Sequence, residues 1–161
     1  MLYKKIKSHI ALKQAIDKLK KRGKKIAFTN GCFDILHLGH VKYLEDAKKF
    51  GDILIVAVND DDSVKRLKTD KRPIFPLKDR MRVLASLSNV DCVTWFKEDT
   101  PAEIIRFLKP DIIIKGADYK IKDIVGSDTV KSYGGKVKRI KYLKGYSVSG
   151  IINRILGRYS I

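Results

Sequence analysis

The chain has 161 residues, a formal net charge of +17 and two cysteines, Cys32 and Cys92. Its length is typical of one domain with its own hydrophobic core, so we expect a single domain over residues 1–161. Two cysteines are too few for a disulfide framework or a four-ligand zinc site. Because there is no signal-peptide pattern and no apolar run of about 18 residues, we expect a cytoplasmic protein without a membrane span.

The positive charge lies at the two ends of the sequence. Residues 1–25 contain ten Lys or Arg and one Asp, residues 131–161 contain eight basic residues and no acidic one, and the segment between them is balanced. Lysine-rich faces are common on solvated helices, and attraction of a polyanionic substrate is the alternative. A nucleic-acid-binding module is a further alternative, because Tyr142 and Tyr146 lie among basic residues. Residues 137–143 also fit an ordinary strand, however, so we expect no nucleic-acid partner.

Hydrophobic periodicity predicts alternating helices and strands. The predicted helices cover residues 10–19, 37–51, 76–87, 101–108 and 148–156, and the predicted strands cover 25–29, 53–58, 91–96, 111–115 and 136–143. The run at 53–58 is almost entirely aliphatic, which is typical of a strand covered on both faces of a parallel sheet. The alternation predicts an α/β fold with a single-domain, Rossmann-like, doubly wound parallel sheet. Thr100 is predicted to cap the helix at 101–108, with Glu103 completing a capping box.

The most informative motif ends the first strand and begins the second helix. Residues 28–40 read FTNGCFDILHLGH. His37 and His40 share one face of the predicted helix, beside its unpaired amides and positive dipole end, which suits a phosphate. Gly31 would let the backbone approach that phosphate, and Gly39 would leave room above the helix start. The motif is neither a dinucleotide fingerprint nor a P-loop, and a zinc site would need ligands beyond the histidine pair and Asp34.

These residues resemble the signature of the cytidylyltransferase-like nucleotidyltransferases, in which GCFD at 31–34 is followed by HLGH at 37–40. Further segments occur in the family's order: RPI at 72–74 with Arg80, VD at 90–91, KGADY at 115–119 and SVSGII at 147–152. The resemblance covers about residues 25–157, which we expect to form the catalytic core, with a basic N-terminal helix in 1–24. Within the family, the chain is most similar to the heptose 1-phosphate adenylyltransferase branch.

The resemblance implies that a sugar 1-phosphate attacks the α-phosphate of ATP. The products would be ADP-heptose, for lipopolysaccharide or surface-sugar precursors, and pyrophosphate, with Mg²⁺ on the phosphates. An anionic phosphate needs no general base, so the protein would position groups and stabilise charge. The resemblance also implies a homodimer and a sugar kinase in the same pathway. A cytidylyltransferase acting on glycerol 3-phosphate or another alcohol phosphate is the alternative.

The resemblance also assigns the site residues. The catalytic residues would be His37, His40 and Lys71, and no protein metal ligand is assigned. The nucleotide-binding residues would be Thr29, Asn30, Gly31, Phe33, Gly39, Arg72, Lys115, Gly116, Asp118, Ser147 and Ser149. Lys71 and Arg72 lie in the cationic segment 65–72, which is interpreted either as a flap over the triphosphate or as a solvated loop.

Several neighbouring residues carry two interpretations. Asp34 either orients the loop or a histidine, or helps hold Mg²⁺, and we favour the orienting role. Cys32 is predicted to be a packing residue, and Phe33 belongs either to the core or to the site. Arg80 is either the family's flap-associated arginine or an exposed helix residue, and Asp91 is left out of the site.

The last motif departs from the family pattern. The family has consecutive Ser or Thr residues at the start of the last helix, but Val148 separates Ser147 from Ser149, and Gly150 replaces an expected Asn or Lys. We therefore expect phosphate contacts there to use backbone amides.

Overall fold

Five parallel strands form one sheet in the structure, a computed structural model that describes residues 4–159. The strands are β1 (Ile26–Gly31), β2 (Ile53–Asn59), β3 (Cys92–Phe96), β4 (Ile112–Gly116) and β5 (Lys136–Ile140). The α-helices are α1 (His9–Lys21), α2 (Leu38–Lys48), α3 (Asp61–Leu67), α4 (Leu77–Ser86), α5 (Ala102–Leu108), α6 (Ser127–Ser132) and α7 (Val148–Tyr159). A short 3₁₀ helix, Ile121–Asp123, lies between β4 and α6.

The strand order reverses at β1. The sheet runs β3-β2-β1-β4-β5, so the chain builds outwards from β1 to β3 and then returns to the other side of β1. Phe28 of β1 pairs with Ile55 of β2 on one side and with Ile113 of β4 on the other. The carboxyl ends of β1 and β4 therefore flank the switch point, where ligands bind in such sheets. The predicted doubly wound parallel sheet is confirmed.

Alternate strand residues point into two hydrophobic cores. On one face of the sheet, Leu54 packs in a cluster with Leu44 of α2 and Leu84 of α4. On the opposite face, Ile55 packs with Ile105 of α5 and with residues of α1 and α6. Each of these five side chains is at most 1% exposed, and burying one such side chain contributes about 1.5–3 kcal/mol. The two cores thus fix α2 on one face of the sheet and α5 on the other.

Some element boundaries differ from those predicted. Strand β5 ends at Ile140 and not at residue 143, because Ile140 pairs with Gly116, the last residue of β4, and no strand remains beyond it to pair with. Strand β1 continues to Gly31, where it pairs with Val58 of β2. The sequence analysis did not predict α3 and α6. For α3, the acidic run that begins at Asp60 resembles a loop, but the Asp60 carboxylate caps the helix by accepting from Ser63 N.

The predicted capping box of α5 is wrong. Pro101 and not Thr100 is the N-cap, and no side chain caps the helix. The Glu103 carboxylate instead accepts a hydrogen bond from Arg106 Nη1 at 2.6 Å. Because that carboxylate pairs with the next turn of the helix, it does not bond back to the cap.

Helix α7 differs from the other helices in its surroundings. None of its residues is buried, although its predicted position is confirmed. Within residues 4–159, no helix is both long and apolar enough to cross a bilayer.

Candidate active site

A cleft of about 640 Å³ opens at the carboxyl edge of the sheet, above β1 and β4. This volume is in the range of small-molecule sites. Ten of the predicted site residues line it: His37, His40, Asn30, Gly31, Phe33, Gly39, Arg72, Lys115, Ser147 and Ser149. Four predicted site residues, Thr29, Lys71, Gly116 and Asp118, are not among the lining residues. The sequence motifs that are far apart along the chain therefore converge on one site.

The two histidines form a stacked pair at the start of α2. His37 is the N-cap, and its Nδ1 accepts a hydrogen bond from the His40 amide at 3.3 Å. The two ring centroids are 3.8 Å apart, with an angle of 16° between the planes. Phe33 lies on the other side of His40, and Tyr146 stacks beyond His37. Four rings thus form one row along the cleft.

Burial and the neighbouring ring keep the imidazoles uncharged. Burial is the main cause that lowers the pKa of His40 to about 4, and the electrostatic repulsion that a protonated His37 would exert adds to it. Burial also lowers the pKa of His37. A neutral His37 whose Nδ1 accepts a hydrogen bond carries its proton on Nε2. His37 therefore presents an N–H donor at the cleft, a group that can bond an anionic oxygen.

Two glycines give the row of rings its space. A Cβ on Gly39 would lie 2.9 Å from Tyr146 Cβ and 3.0 Å from His37 Nδ1. A Cβ on Gly31 would lie 3.1 Å from the ring of Phe33, whose backbone has a φ of 45°. The room that Gly39 provides is therefore used by the rings of the protein, which pack against the helix start.

Asp34 connects the histidine loop to the segment that follows α3. Its fully buried carboxylate accepts hydrogen bonds from Arg72 Nε at 2.5 Å and from the amides of Ile74 and Phe75 at 2.8–2.9 Å. The peptide bond between Arg72 and Pro73 is cis. These hydrogen bonds support the orienting role of Asp34, and the group that it orients is the guanidinium of Arg72.

Arg80 forms the other half of this connection. Its side chain is fully buried, so the interpretation as an exposed helix residue is wrong. Its guanidinium donates to the carbonyl oxygens of Cys32, Phe75 and Asn59 and to the carboxylate of Asp61 at 2.5–2.9 Å. The Asp34–Arg80 network, defined by these two residues and their partners, fixes the position of Arg72 relative to the histidines.

The cationic segment contributes a different lysine from the one predicted. Lys68 and Arg72 line the cleft, whereas Lys71 is exposed and is not among the lining residues. Lys68 is the C-cap of α3, the helix that was not predicted. The turn of this helix determines which cation faces the cleft.

The floor of the cleft lies between β1 and β4. The Lys115 Nζ is 3.5 Å from the Asn30 carbonyl oxygen, and burial lowers the pKa of Lys115 to about 8. The buried Asn30 Oδ1 has no hydrogen-bond partner among the described residues. Such an atom requires a donor from a ligand or water. Thr29, in contrast, is fully buried, and its hydroxyl bonds to Tyr43 Oη and the Ile114 carbonyl, so its side chain joins β1 to α2 and β4.

Tyrosines that the sequence analysis did not assign to the site line its β5 side. Tyr142 covers Gly116 so closely that a Cβ there would lie 2.1 Å from a ring atom. Because Gly116 has no side chain, it leaves the space that the ring of Tyr142 occupies. Tyr146, Tyr142 and Tyr119 all line the cleft. For Tyr142 and Tyr146, the aromatic residues interleaved with basic ones after residue 137 were the available signal.

The start of α7 completes this side of the cleft. Ser147, Val148 and Ser149 line it, and Ser147 Oγ accepts from Gly150 N at 3.0 Å. Ser147 is thus already a helix cap. The groups at this point that remain available to a ligand are the Ser149 hydroxyl and the free amides of the first turn.

The cytidylyltransferase-like family model matches residues 28–154, a span that contains both histidines and the start of α7. The chain belongs to this family. The membership confirms the resemblance, the fold class and the predicted nucleotidyltransferase chemistry.

Curated relatives are similar over most of the chain. The bifunctional protein HldE of a Marinomonas species is 58% identical over 132 residues, which are 82% of this chain and 28% of that protein. The protein of the same name from a Nitratiruptor species is 59% identical over 85% of this chain and 29% of that protein. The one from Pasteurella multocida is 55% identical over 93% of this chain and 32% of that protein. The chain thus spans about three tenths of the length of these relatives.

Solved structures show the same architecture. A lipopolysaccharide core biosynthesis protein from Thermoplasma volcanium is 35% identical, with a TM-score of 0.63 over 75% of this chain and 100% of that chain. The pantoate-beta-alanine ligase from Francisella tularensis is 17% identical, with a TM-score of 0.60 over 94% of this chain and 78% of that chain. The second likeness concerns the fold alone.

Proposed function

We propose that this chain transfers the adenylyl group of ATP to a heptose 1-phosphate, giving ADP-heptose and pyrophosphate. The observation that carries the proposal is the cleft in which the stacked histidines meet Lys68, Arg72 and Lys115. The 58% identity to a protein named HldE and the likeness to a lipopolysaccharide core biosynthesis protein from Thermoplasma volcanium support a sugar acceptor.

In the proposed reaction, an oxygen of the sugar phosphate attacks the α-phosphorus of ATP. The bond between this phosphorus and the bridging oxygen breaks, and pyrophosphate leaves with the electron pair. No proton has to be removed from the attacking oxygen. The imidazole N–H groups and the three cations would stabilise the negative charge on the transferred and leaving groups. A role for Lys71 requires the segment 68–72 to close over the phosphates.

We propose that Mg²⁺ enters with the nucleotide. Among the described residues, no group of three or more His, Cys, Asp or Glu side chains is placed to hold a metal ion. The carboxylate of Asp34 is already occupied by Arg72 and two amides. Mg²⁺ in nucleotide sites is commonly held mainly by substrate phosphates and water. It would neutralise phosphate charge there.

Pyrophosphate release tests the reaction and the substrates. ATP and CTP are each assayed with heptose 1-phosphate, mannose 1-phosphate and glycerol 3-phosphate, with Mg²⁺ or with EDTA. We expect the highest kcat/KM for ATP with the heptose phosphate and loss of activity in EDTA. Turnover of CTP with glycerol 3-phosphate alone would replace the proposal by the cytidylyltransferase alternative.

A variant pair tests the site. His40→Ala is expected to lower kcat more than it raises KM, because the interaction strengthens as charge develops. Ser86→Ala is the control, since the Ser86 hydroxyl is exposed on α4 and bonds only within its own helix among the described residues. An unchanged kcat in His40→Ala would remove His40 from the mechanism.

A further inference from the structure

We infer that Tyr146 is a positioning residue, whose ring holds the imidazole plane of His37 so that the Nε2–H group keeps one direction in the cleft. The inference rests on the proposed function and deepens it, because it adds a residue that acts on the reaction through His37. Tyr146 itself comes from the segment between β5 and α7, which is far from His37 in the sequence.

The hydrogen bond that His37 accepts does not fix the plane of its ring. Nδ1 accepts from the His40 amide at 3.3 Å, which is longer than the roughly 3.2 Å upper limit of ordinary N–H bonds. This bond selects which edge of the ring faces the helix, since a ring turned by 180° would present a carbon there. A long bond tolerates smaller rotations about χ2, which is a soft torsion in histidine. The direction of Nε2–H therefore needs a second restraint.

The neighbouring rings provide this restraint. His40 stacks on His37 with centroids 3.8 Å apart, and Tyr146 stacks beyond His37 with centroids 6.3 Å apart and an angle of 29° between the planes. The second separation lies within the roughly 4.5–7 Å range of favourable aromatic pairs. An imidazole between two rings loses contact with both when it turns. The stack thus holds the ring plane and leaves an edge of His37 at the cleft.

The backbone holds Tyr146 beside His37. A Cβ on Gly39 of α2 would lie 2.9 Å from Tyr146 Cβ and 3.0 Å from His37 Nδ1, so both side chains rest on the same point of the helix. Four residues before Tyr146, the ring of Tyr142 lies against Gly116 at the end of β4. The segment 141–147 is therefore anchored on β4 and on α2, and the ring of Tyr146 is kept near His37 although it is 45% exposed.

The place of Tyr146 before α7 also has a purely structural interpretation. Ser147 caps α7, because its Oγ accepts from Gly150 N and its carbonyl accepts from Ile151 N, both at 3.0 Å. An apolar residue before a cap commonly packs on the fourth helical residue, here Ile151. A leucine can make that contact as well as a tyrosine can, but only a planar ring can stack on His37.

The hydroxyl group of Tyr146 is not needed for either interpretation. It forms no hydrogen bond with another residue in the part of the chain from 4 to 159. Phenylalanine therefore keeps the stacking on His37, and leucine keeps only the apolar contact. The two substitutions separate positioning of His37 from support of α7.

Pyrophosphate-release kinetics measure the effect on the reaction. Tyr146→Phe and Tyr146→Leu are each made in the wild type and in His37→Ala. We expect Tyr146→Phe to keep kcat within about twofold, and Tyr146→Leu to lower kcat about tenfold with a change in the KM for ATP of less than about threefold. In His37→Ala, the substitution by leucine should change kcat by less than about twofold, because the ring through which Tyr146 acts is absent.

Tyr159→Leu is the matched control. The ring of Tyr159 is 78% exposed near the end of α7 and does not line the cleft. This substitution should leave kcat and Tm unchanged. A tenfold loss that persists in His37→Ala, or an equal loss in Tyr146→Phe, would overturn the inference. A fall in both Tm and kcat in Tyr146→Leu, with His37 still ordered, would assign Tyr146 to the stability of α7 instead.

NMR relaxation of the His37 ring tests the positioning without turnover. We expect its order parameter to be about 0.85 in the wild type and in Tyr146→Phe, and below about 0.6 in Tyr146→Leu. Equal order parameters in the wild type and in Tyr146→Leu would overturn the inference. If the wild type transfers no adenylyl group, the proposed function fails, and the order parameter alone decides whether Tyr146 positions His37. The order parameter also decides if turnover in His37→Ala is too slow to measure.

Discussion

Replacing Asp34 by Asn tests whether the Asp34–Arg80 network positions Arg72. The substitution preserves the size of the side chain and one acceptor oxygen. This oxygen can keep the hydrogen bonds that Oδ1 accepts from the amides of Ile74 and Phe75. The new NH₂ group, however, would lie 2.5 Å from Arg72 Nε, where two donors face each other.

The magnitude follows from the burial of the pair. The side chain of Asp34 is fully buried and that of Arg72 is 12% exposed. Removing one partner of a buried ion pair costs about 3–5 kcal/mol. Because the hydrogen bonds from the two backbone amides remain, we expect a destabilisation at the lower end of this range, about 3 kcal/mol. For a domain of this size, that loss corresponds to a fall in Tm of about 6–12 °C. Release of Arg72 should also lower kcat/KM for ATP about tenfold, an effect of about 1.4 kcal/mol.

Differential scanning calorimetry and pyrophosphate-release kinetics measure the two effects. Asp17→Asn is the control, because Asp17 forms an exposed pair with Lys13 on α1, and such pairs contribute only about 0.3–0.5 kcal/mol. If Asp34→Asn kept both its Tm and its kcat/KM for ATP within the range of the Asp17 control, the positioning role would be refuted.

Three further predictions follow from burial and close contacts. The pKa of His40 is about 4 in the folded protein and about 6.5 in the unfolded protein, so the unfolded state binds more protons as the pH falls from 6.5 to 4. The free energy of unfolding of the wild type, measured by urea denaturation, should therefore fall by up to about 3 kcal/mol over this range. His40→Asn should remove this pH dependence. Because burial lowers the pKa of Lys115 to about 8, its charged form destabilises the fold below that pH. Lys115→Met should therefore raise Tm at pH 7 while weakening binding of the ATP analogue, and a lower Tm would contradict this. Gly116→Ala should displace the ring of Tyr142 and raise the KM for ATP, whereas Gly157→Ala on α7, where a Cβ has nothing within 4 Å, should leave KM unchanged and raise Tm slightly.

The sequence predicted the fold, and it predicted that both histidines lie at one helix start, because these features depend on local patterns. The aliphatic run of β2 indicates burial on both faces, and the spacing of His37 and His40 places both rings at one helix start. The remaining features of the site depend on contacts between different segments of the chain, which the sequence pattern does not show. Lys68 and Lys71 have the same chemistry, and only the turn of α3 selects between them. The alternation of side chains along β1 directs Thr29 towards Tyr43, a hydrogen-bond partner 14 residues away in the sequence.

Arg80 shows the same limit in another way. A helix residue flanked by Asp79 and Met81 looks exposed in the sequence. Its burial depends on three carbonyl groups supplied by Cys32, Asn59 and Phe75, none of which has a side-chain signal for this role.

The stacked imidazoles are groups that can take up a proton when an anion binds beside them. In the free protein the two rings are neutral near pH 7, so the positive side chains that line the cleft there are Lys68, Arg72 and Lys115. In the proposed reaction, an arriving triphosphate would favour a protonated ring and so raise the pKa of the pair. Binding would then be linked to proton uptake, and the repulsion between two charged rings 3.8 Å apart would oppose the uptake of a second proton.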